Sequence, residues 1–201
     1  MSKAALAGFL CLSLGLACAS PALAVNESAR GVQTPSLTPY LQCVPYARQV
    51  TGITIFGDAH TWWGQAEGRY ARGYKPKVGA VLALRPHGGS RLGHVAAVSR
   101  IIDSRTLLVR HSNWSPINGR RGQIEDNVKV VDVSPANDWS AVRVWYAPLK
   151  DLGGTHWPVQ GFIYPAKPKK GEKLKDRPVP ANLPRGSDDP IADLIGARMG
   201  W

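Results

Sequence analysis

Cysteine is scarce in this chain. Three occur in 201 residues, Cys11, Cys18 and Cys43, and the first two fall in an apolar N-terminal stretch. A scaffold stapled by internal disulfides is therefore excluded. Metal-ligand spacing is missing too. The five histidines (His60, His87, His94, His111 and His156) form no HExxH or HxH pair, and no CxxC occurs. No metal and no cofactor is expected. Negative charge is in short supply, with 14 acidic residues against 25 lysines and arginines, a formal net charge of +11. No long apolar run follows residue 24, so no membrane span is expected beyond that point. No internal repeat is present, which excludes solenoid architectures.

The first residues present a secretion signal. Lys3 supplies a positive start, Ala4 to Ala17 is almost wholly apolar, and Ala22-Leu23-Ala24 is an A-x-A cleavage site. Residues 1–24 read as a signal peptide, with Val25 as the mature N-terminus. A lipoprotein reading through Cys18 is weaker, because Gly15 stands where a lipobox wants leucine. The expected location is periplasmic or secreted. Only Lys3 leaves with the leader, so the mature chain stays strongly basic. Export removes nucleic acid as a partner for that charge and leaves anionic cell-wall polymers or lipid surfaces. A monomer is expected.

Residues 25–38 are polar, with Ser, Thr, Pro and Asn, and read as a flexible lead-in. Leu41 to Val50 suits a short helix. Pro45 fits only in a first turn, which places the helix start at or beside Cys43, and Gly52 ends it. Gly57 to Ala66 reads as a second helix with Asp58 as its N-cap. From Lys77 the periodicity becomes two. Strands are expected over Val78–Leu84, His94–Ile102, Thr106–His111, Val128–Val133 and Val142–Tyr146, with a tight turn at Asp103-Ser104. Gly161 to Pro165 reads as the last packed piece. Helices followed by strands mean an α+β domain over residues 39–165. Residues 166–201 read as a basic, Pro-rich, disordered tail, because Lys167, Lys169, Lys170, Lys173, Lys175 and Arg177 crowd together ahead of Pro178, Pro180 and Pro184. Asp189 to Met199 has the pattern of a short helix.

Cys43 survives the leader alone, at a helix start. Free N–H groups and the positive end of the helix dipole favour a thiolate there. His94 opens an apolar strand in Gly93-His94-Val95-Ala96-Ala97-Val98, and Gly93 permits close approach of another backbone or of a substrate. The Asp103-Ser104 hairpin returns the chain so that Asn113 comes back beside His94, where an amide oxygen can fix the imidazole tautomer. A thiol, a base and an orienter in this order are the grammar of a papain-like thiol hydrolase. A thiolate–imidazolium pair is expected, with Cys43 alkylating well below the ordinary thiol pKa of about 8.5. The Cys43 backbone N–H is the natural oxyanion donor, with Gln42 or Tyr40 as candidate side-chain donors. Trp63 and Trp114 are the candidate groove walls among the seven tryptophans.

Four segments carry a resemblance to a known family: Gln42-Cys43-Val44-Pro45-Tyr46-Ala47-Arg48, the Lys77–Leu84 strand, Gly93-His94-Val95-Ala96-Ala97-Val98, and Val109-Arg110-His111-Ser112-Asn113-Trp114. From about Tyr40 to Tyr146 the chain resembles a CHAP domain, the cysteine, histidine-dependent amidohydrolase/peptidase family. The resemblance implies a papain-like α+β fold, with N-terminal helices packed on an antiparallel sheet or half-barrel. It implies a peptidoglycan hydrolase, either an N-acetylmuramoyl-L-alanine amidase or a peptide endopeptidase. It assigns Cys43, His94 and Asn113 as nucleophile, base and orienter. Many members place glutamate where His111 stands and aspartate where Ala80 stands, so whether His111 or Asn113 orients His94 stays open. Some members carry an acidic calcium loop before the cysteine. Thr34 to Tyr40 holds no acidic residue, so no calcium site is expected. The alternative to the hydrolase is a non-catalytic, basic cell-wall-binding module. A third reading is an interaction protein whose lone thiol forms an intermolecular bridge.

Overall fold

A computed structural model describes residues 40–171 and 173–184. The leader, the lead-in, the acid-free run before Tyr40 and the expected 189–199 helix lie outside the described residues. Helix α1 spans Cys43–Thr51, with Gln42 at its N-cap and no side-chain cap. Pro45 sits in its first turn, where no intrahelical N–H is required of it. Gly52 ends it in the left-handed conformation (φ 72°) and returns its N–H to the Arg48 carbonyl at 3.0 Å. The second expected helix is shorter than its pattern. It forms a 3₁₀ turn at Ala59–Thr61 and one α-turn, α2, at Trp62–Gln65. Asp58 offers its backbone carbonyl to Thr61 and makes no side-chain cap.

Eight strands follow among the described residues: β1 Arg72–Gly73, β2 Val81–Leu84, β3 His94–Ile101, β4 Thr106–Ser112, β5 Ile124–Asp132, β6 Ala141–Tyr146, β7 Asp151–Leu152 and β8 Trp157–Ile163. All pairings are antiparallel. The order is β1-β8-β2-β3-β4-β5-β6-β7, and a further pairing of β8 with β6 closes six strands into a barrel. The chain thus folds as α+β, an N-terminal helix on a six-stranded antiparallel barrel, as the papain-like reading expects. Closure removes the exposed edges an open sheet would leave.

Strand alternation sorts the apolar residues into two cores. Leu82, Leu84, Ala96, Val98, Leu107, Val109, Val130 and Phe162 fill the barrel. Val81, Val95 and Ile163 point the other way and meet Cys43, Ala47, Ile53, Ile55, Trp62 and Trp63 beneath the helices. β2 is buried on both faces, which explains its unbroken apolar run. Each such fully buried side chain contributes roughly 1.5–3 kcal/mol. Gly93 is required by backbone contact: at φ 67° a Cβ there would lie 2.5 Å from the Leu84 carbonyl oxygen. The close approach expected of Gly93 is therefore to the chain's own β2.

Residues 173–184, expected within a disordered tail, lie against the domain. Trp63 Nε1 donates to Asp176 at 2.9 Å, and Tyr74 donates its hydroxyl to the Lys175 carbonyl at 2.6 Å. The Arg177 guanidinium stacks 4.0 Å above the Tyr74 ring, and the His156 N–H reaches the Pro184 carbonyl. Lysine-rich composition concealed these contacts, because they run mostly through backbone carbonyls and one carboxylate. No helix among the described residues is long and apolar enough to cross a membrane.

Candidate active site

Cys43 is the first residue of α1 and is 9% exposed. Its sulfur faces three backbone N–H groups, those of Val95, Val44 and Cys43 itself. Val95 follows His94 in β3, so the helix start and the strand start meet at the sulfur. Burial pushes the Cys43 thiol up, and the three N–H groups oppose that rise without cancelling it. Burial thus works against the expected thiolate, and the N–H groups work for it. The Cys43 side chain packs with Val95 in the core under α1, and the Nε2 side of the His94 ring is engaged by His111.

His94 is 6% exposed. Burial first, and the positive charge of Arg121 second, bring its pKa down to about 3. The ring is uncharged across the physiological range. Its Nε2 lies 3.0 Å from Nδ1 of His111, with the rings nearly perpendicular at 83°. Nδ1 of His94 is the ring nitrogen left to serve another group. Burial, and then its neighbour His94, hold His111 well below the ordinary histidine value, so both rings are neutral.

The hydrogen bond expected from His94 to Asn113 is absent. The Asn113 side-chain oxygen is buried and accepts none. The β3–β4 register pairs Ala97 with Arg110, and continued down the ladder it sets Asn113 opposite His94. But Asn113 adopts φ 62°, and β4 ends at Ser112. The diagonal neighbour His111 takes the contact instead, within the reach that cross-strand diagonals give long side chains. A signal for this was present. Leu107, Val109 and His111 alternate along β4 toward one face, so His111 shares the core face and needs a polar partner.

The lower-ranked candidates separate. Trp114 belongs to the site: its ring lies 4.8 Å from His94 and 5.7 Å from His111, and it meets Trp157 at 5.1 Å. Its Nε1 is committed to the Trp145 carbonyl at 3.1 Å, so it offers the site a ring face and no donor. Trp63 does not belong. It is buried in the helix-side core, 4% exposed, tied to Asp176 and stacked on Tyr74, and a Cβ at Gly161 would run into it. Tyr40 is half exposed and packs over Gly122, where the Leu41 N–H meets the Gly122 carbonyl at 3.2 Å. This contact borders the helix start with the 113–123 loop. Gln42 is exposed, and its carboxamide caps nothing. Among the described residues no three of His, Cys, Asp and Glu converge to hold a metal ion.

One residue was missed. Glu125, 8% exposed, stands directly across from His111 in the β4–β5 ladder. The sequence reading began that strand at Val128 and left Glu125 outside it. In comparison with known proteins, residues 33–113 match the CHAP domain family. No curated protein matches the chain.

Proposed function

We propose that this chain, which carries a CHAP domain over residues 33–113, is a peptidoglycan hydrolase that cleaves an amide bond through Cys43 and His94. A CHAP domain implies a cell-wall amidase or peptidase, with peptidoglycan as its substrate. The proposal adds the residues and their order of action. Neutral His94 takes the thiol proton on Nδ1 as the sulfur attacks the carbonyl carbon, so the ion pair forms during attack and not before it. The oxyanion meets the N–H groups at the start of α1, with the Gln42 carboxamide as a further donor. His94 returns the proton to the departing amine, and the C–N bond breaks. Water, deprotonated by the same ring, then releases the acyl group from sulfur. His111, not Asn113, orients His94.

The observation that carries this reading is Cys43 at the first position of α1, packed in one core with Val95, the residue that follows His94 at the head of β3. Cleavage after Ala24 would deliver the enzyme to the periplasm or beyond. Digestion of purified sacculi tests the proposal. Wild type should release fragments with new termini and Cys43→Ala none. New muramic acid lactyl carboxylates would identify an amidase, and new peptide amines and carboxylates an endopeptidase. Absence of new termini with wild type would overturn the hydrolase and leave the cell-wall-binding module.

A further inference from the structure

The tautomer of His111 is not free if His94 is the base. His94 must keep Nδ1 unprotonated to accept the thiol proton, so its single ring proton sits on Nε2. That N–H donates across 3.0 Å to Nδ1 of His111. His111 is thereby an acceptor at Nδ1 and must carry its own proton on Nε2. His111 Nε2 is buried and has no hydrogen-bond partner. The acceptor-bearing group nearest in register is Glu125, whose Oε1 lies 3.9 Å from that nitrogen, with both side chains nearly free of solvent. This is longer than a hydrogen bond, but a carboxylate at that distance in a low-dielectric pocket still favours a proton on the facing nitrogen.

We propose that Glu125 is a positioning residue for the hydrolase, closing a relay of Cys43, His94, His111 and Glu125. Its negative charge selects the Nε2–H tautomer of His111 and supports the positive charge that His94 acquires during attack. This rests on the assignment of Cys43 and His94 made above. The groups facing Glu125 are His111 from β4, the Ser115 N–H at 2.7 Å with the Ser115 hydroxyl, the Trp114 N–H and the charge of Arg121. Burial raises the Glu125 pKa, and the Ser115 and Arg121 interactions oppose the rise. Glu125 would therefore lose its charge at a higher pH than an ordinary carboxyl and set the acid limb of activity.

A purely structural role is the competing account, because Glu125 also anchors the loop through Ser115. Glu125→Gln separates the two: the amide oxygen can still accept from Ser115, but the charge is gone. The expected result is a 10- to 100-fold fall in kcat with KM within about twofold, and an acid limb that no longer follows a raised carboxyl. Long-range ¹H–¹⁵N correlation of the histidine rings at pH 7 gives a readout independent of turnover. Wild type should show His111 as the Nε2–H tautomer, and Glu125→Gln should lose that single tautomer. Wild-type His111 found protonated on Nδ1 would overturn the proposal. So would a Glu125→Gln protein with wild-type kcat, pH profile and ring signals. If wild type does not cleave sacculi, the hydrolase assignment fails, and the ring spectra still decide what Glu125 does to His111.

Discussion

The two neutral histidines at the barrel end make the fold acid-labile by an amount that can be worked out. His94 titrates at its ordinary value near 6.5 when unfolded and at about 3 when folded. His111 is displaced in the same direction by the same burial. The unfolded chain therefore binds protons that the folded chain refuses. Stability rises with pH wherever the unfolded state holds more protons. The contribution is intact above the unfolded value of 6.5 and is lost progressively as pH falls toward the folded value. Each histidine adds a slope approaching about 1.4 kcal/mol per pH unit. Between pH 7.5 and pH 5 His94 alone costs about 2 kcal/mol, a sizeable part of the roughly 5–15 kcal/mol a domain has, and His111 adds a loss of the same sign. Urea unfolding followed by tryptophan fluorescence at a series of pH values measures it. With a slope of about 2 kcal/mol per molar urea, the wild-type midpoint should fall by at least about 1 M over that range. His111→Leu should fall by less than wild type, whatever its absolute stability. His156 is also displaced downward and Glu125 upward, and both are present in each protein, so the difference between the two falls reports His111 together with its coupling to Glu125. A wild-type midpoint that moves by less than about 0.5 M would refute the reasoning. So would an equal fall in the variant, since either result means the rings take up protons while folded.

The remaining expectations follow from single contacts. Cys43 should react with iodoacetamide at pH 7 more slowly than a free cysteine thiol, and gain reactivity only above the ordinary thiol range, because burial pushes its pKa up; rapid alkylation at pH 6 would show a preformed thiolate. His111→Ala should lower kcat on sacculi by about 10- to 100-fold and Asn113→Ala by less than about threefold, since His111 makes the contact to His94; the reverse ranking would restore Asn113 as orienter. Gly93→Ala should lower Tm by roughly 5 °C or more, from about 2 kcal/mol of left-handed strain and overlap with the Leu84 carbonyl; an unchanged melting curve would mean the β2–β3 end yields. Asp176→Ala leaves the Trp63 Nε1 donor without its acceptor and should cost about 1–3 kcal/mol, read by thermal unfolding; no loss would mean the 173–184 segment adds nothing to the domain.

Residue order alone is enough for the local grammar. Pro45 and Gly52 bound α1 and set Cys43 at its start, because a proline tolerates only a first turn and a left-handed cap suits glycine. Apolar runs bounded by turns placed β2, β3 and β4, and the Asp103-Ser104 turn joined the last two as an antiparallel pair. What only tertiary structure decided depends on contacts between distant residues. Barrel closure needs β8 to pair with both β2 and β6, and no local pattern encodes a partner chosen across the whole chain. The exchange of Asn113 for His111 turns on one residue leaving the strand at φ 62°. Glu125 entered only through the β4–β5 ladder. The protonation of the pair follows the same division: residue types named a thiol and an imidazole, but the loss of water around them, which favours the uncharged form of each, arises only when the barrel and helix close over them.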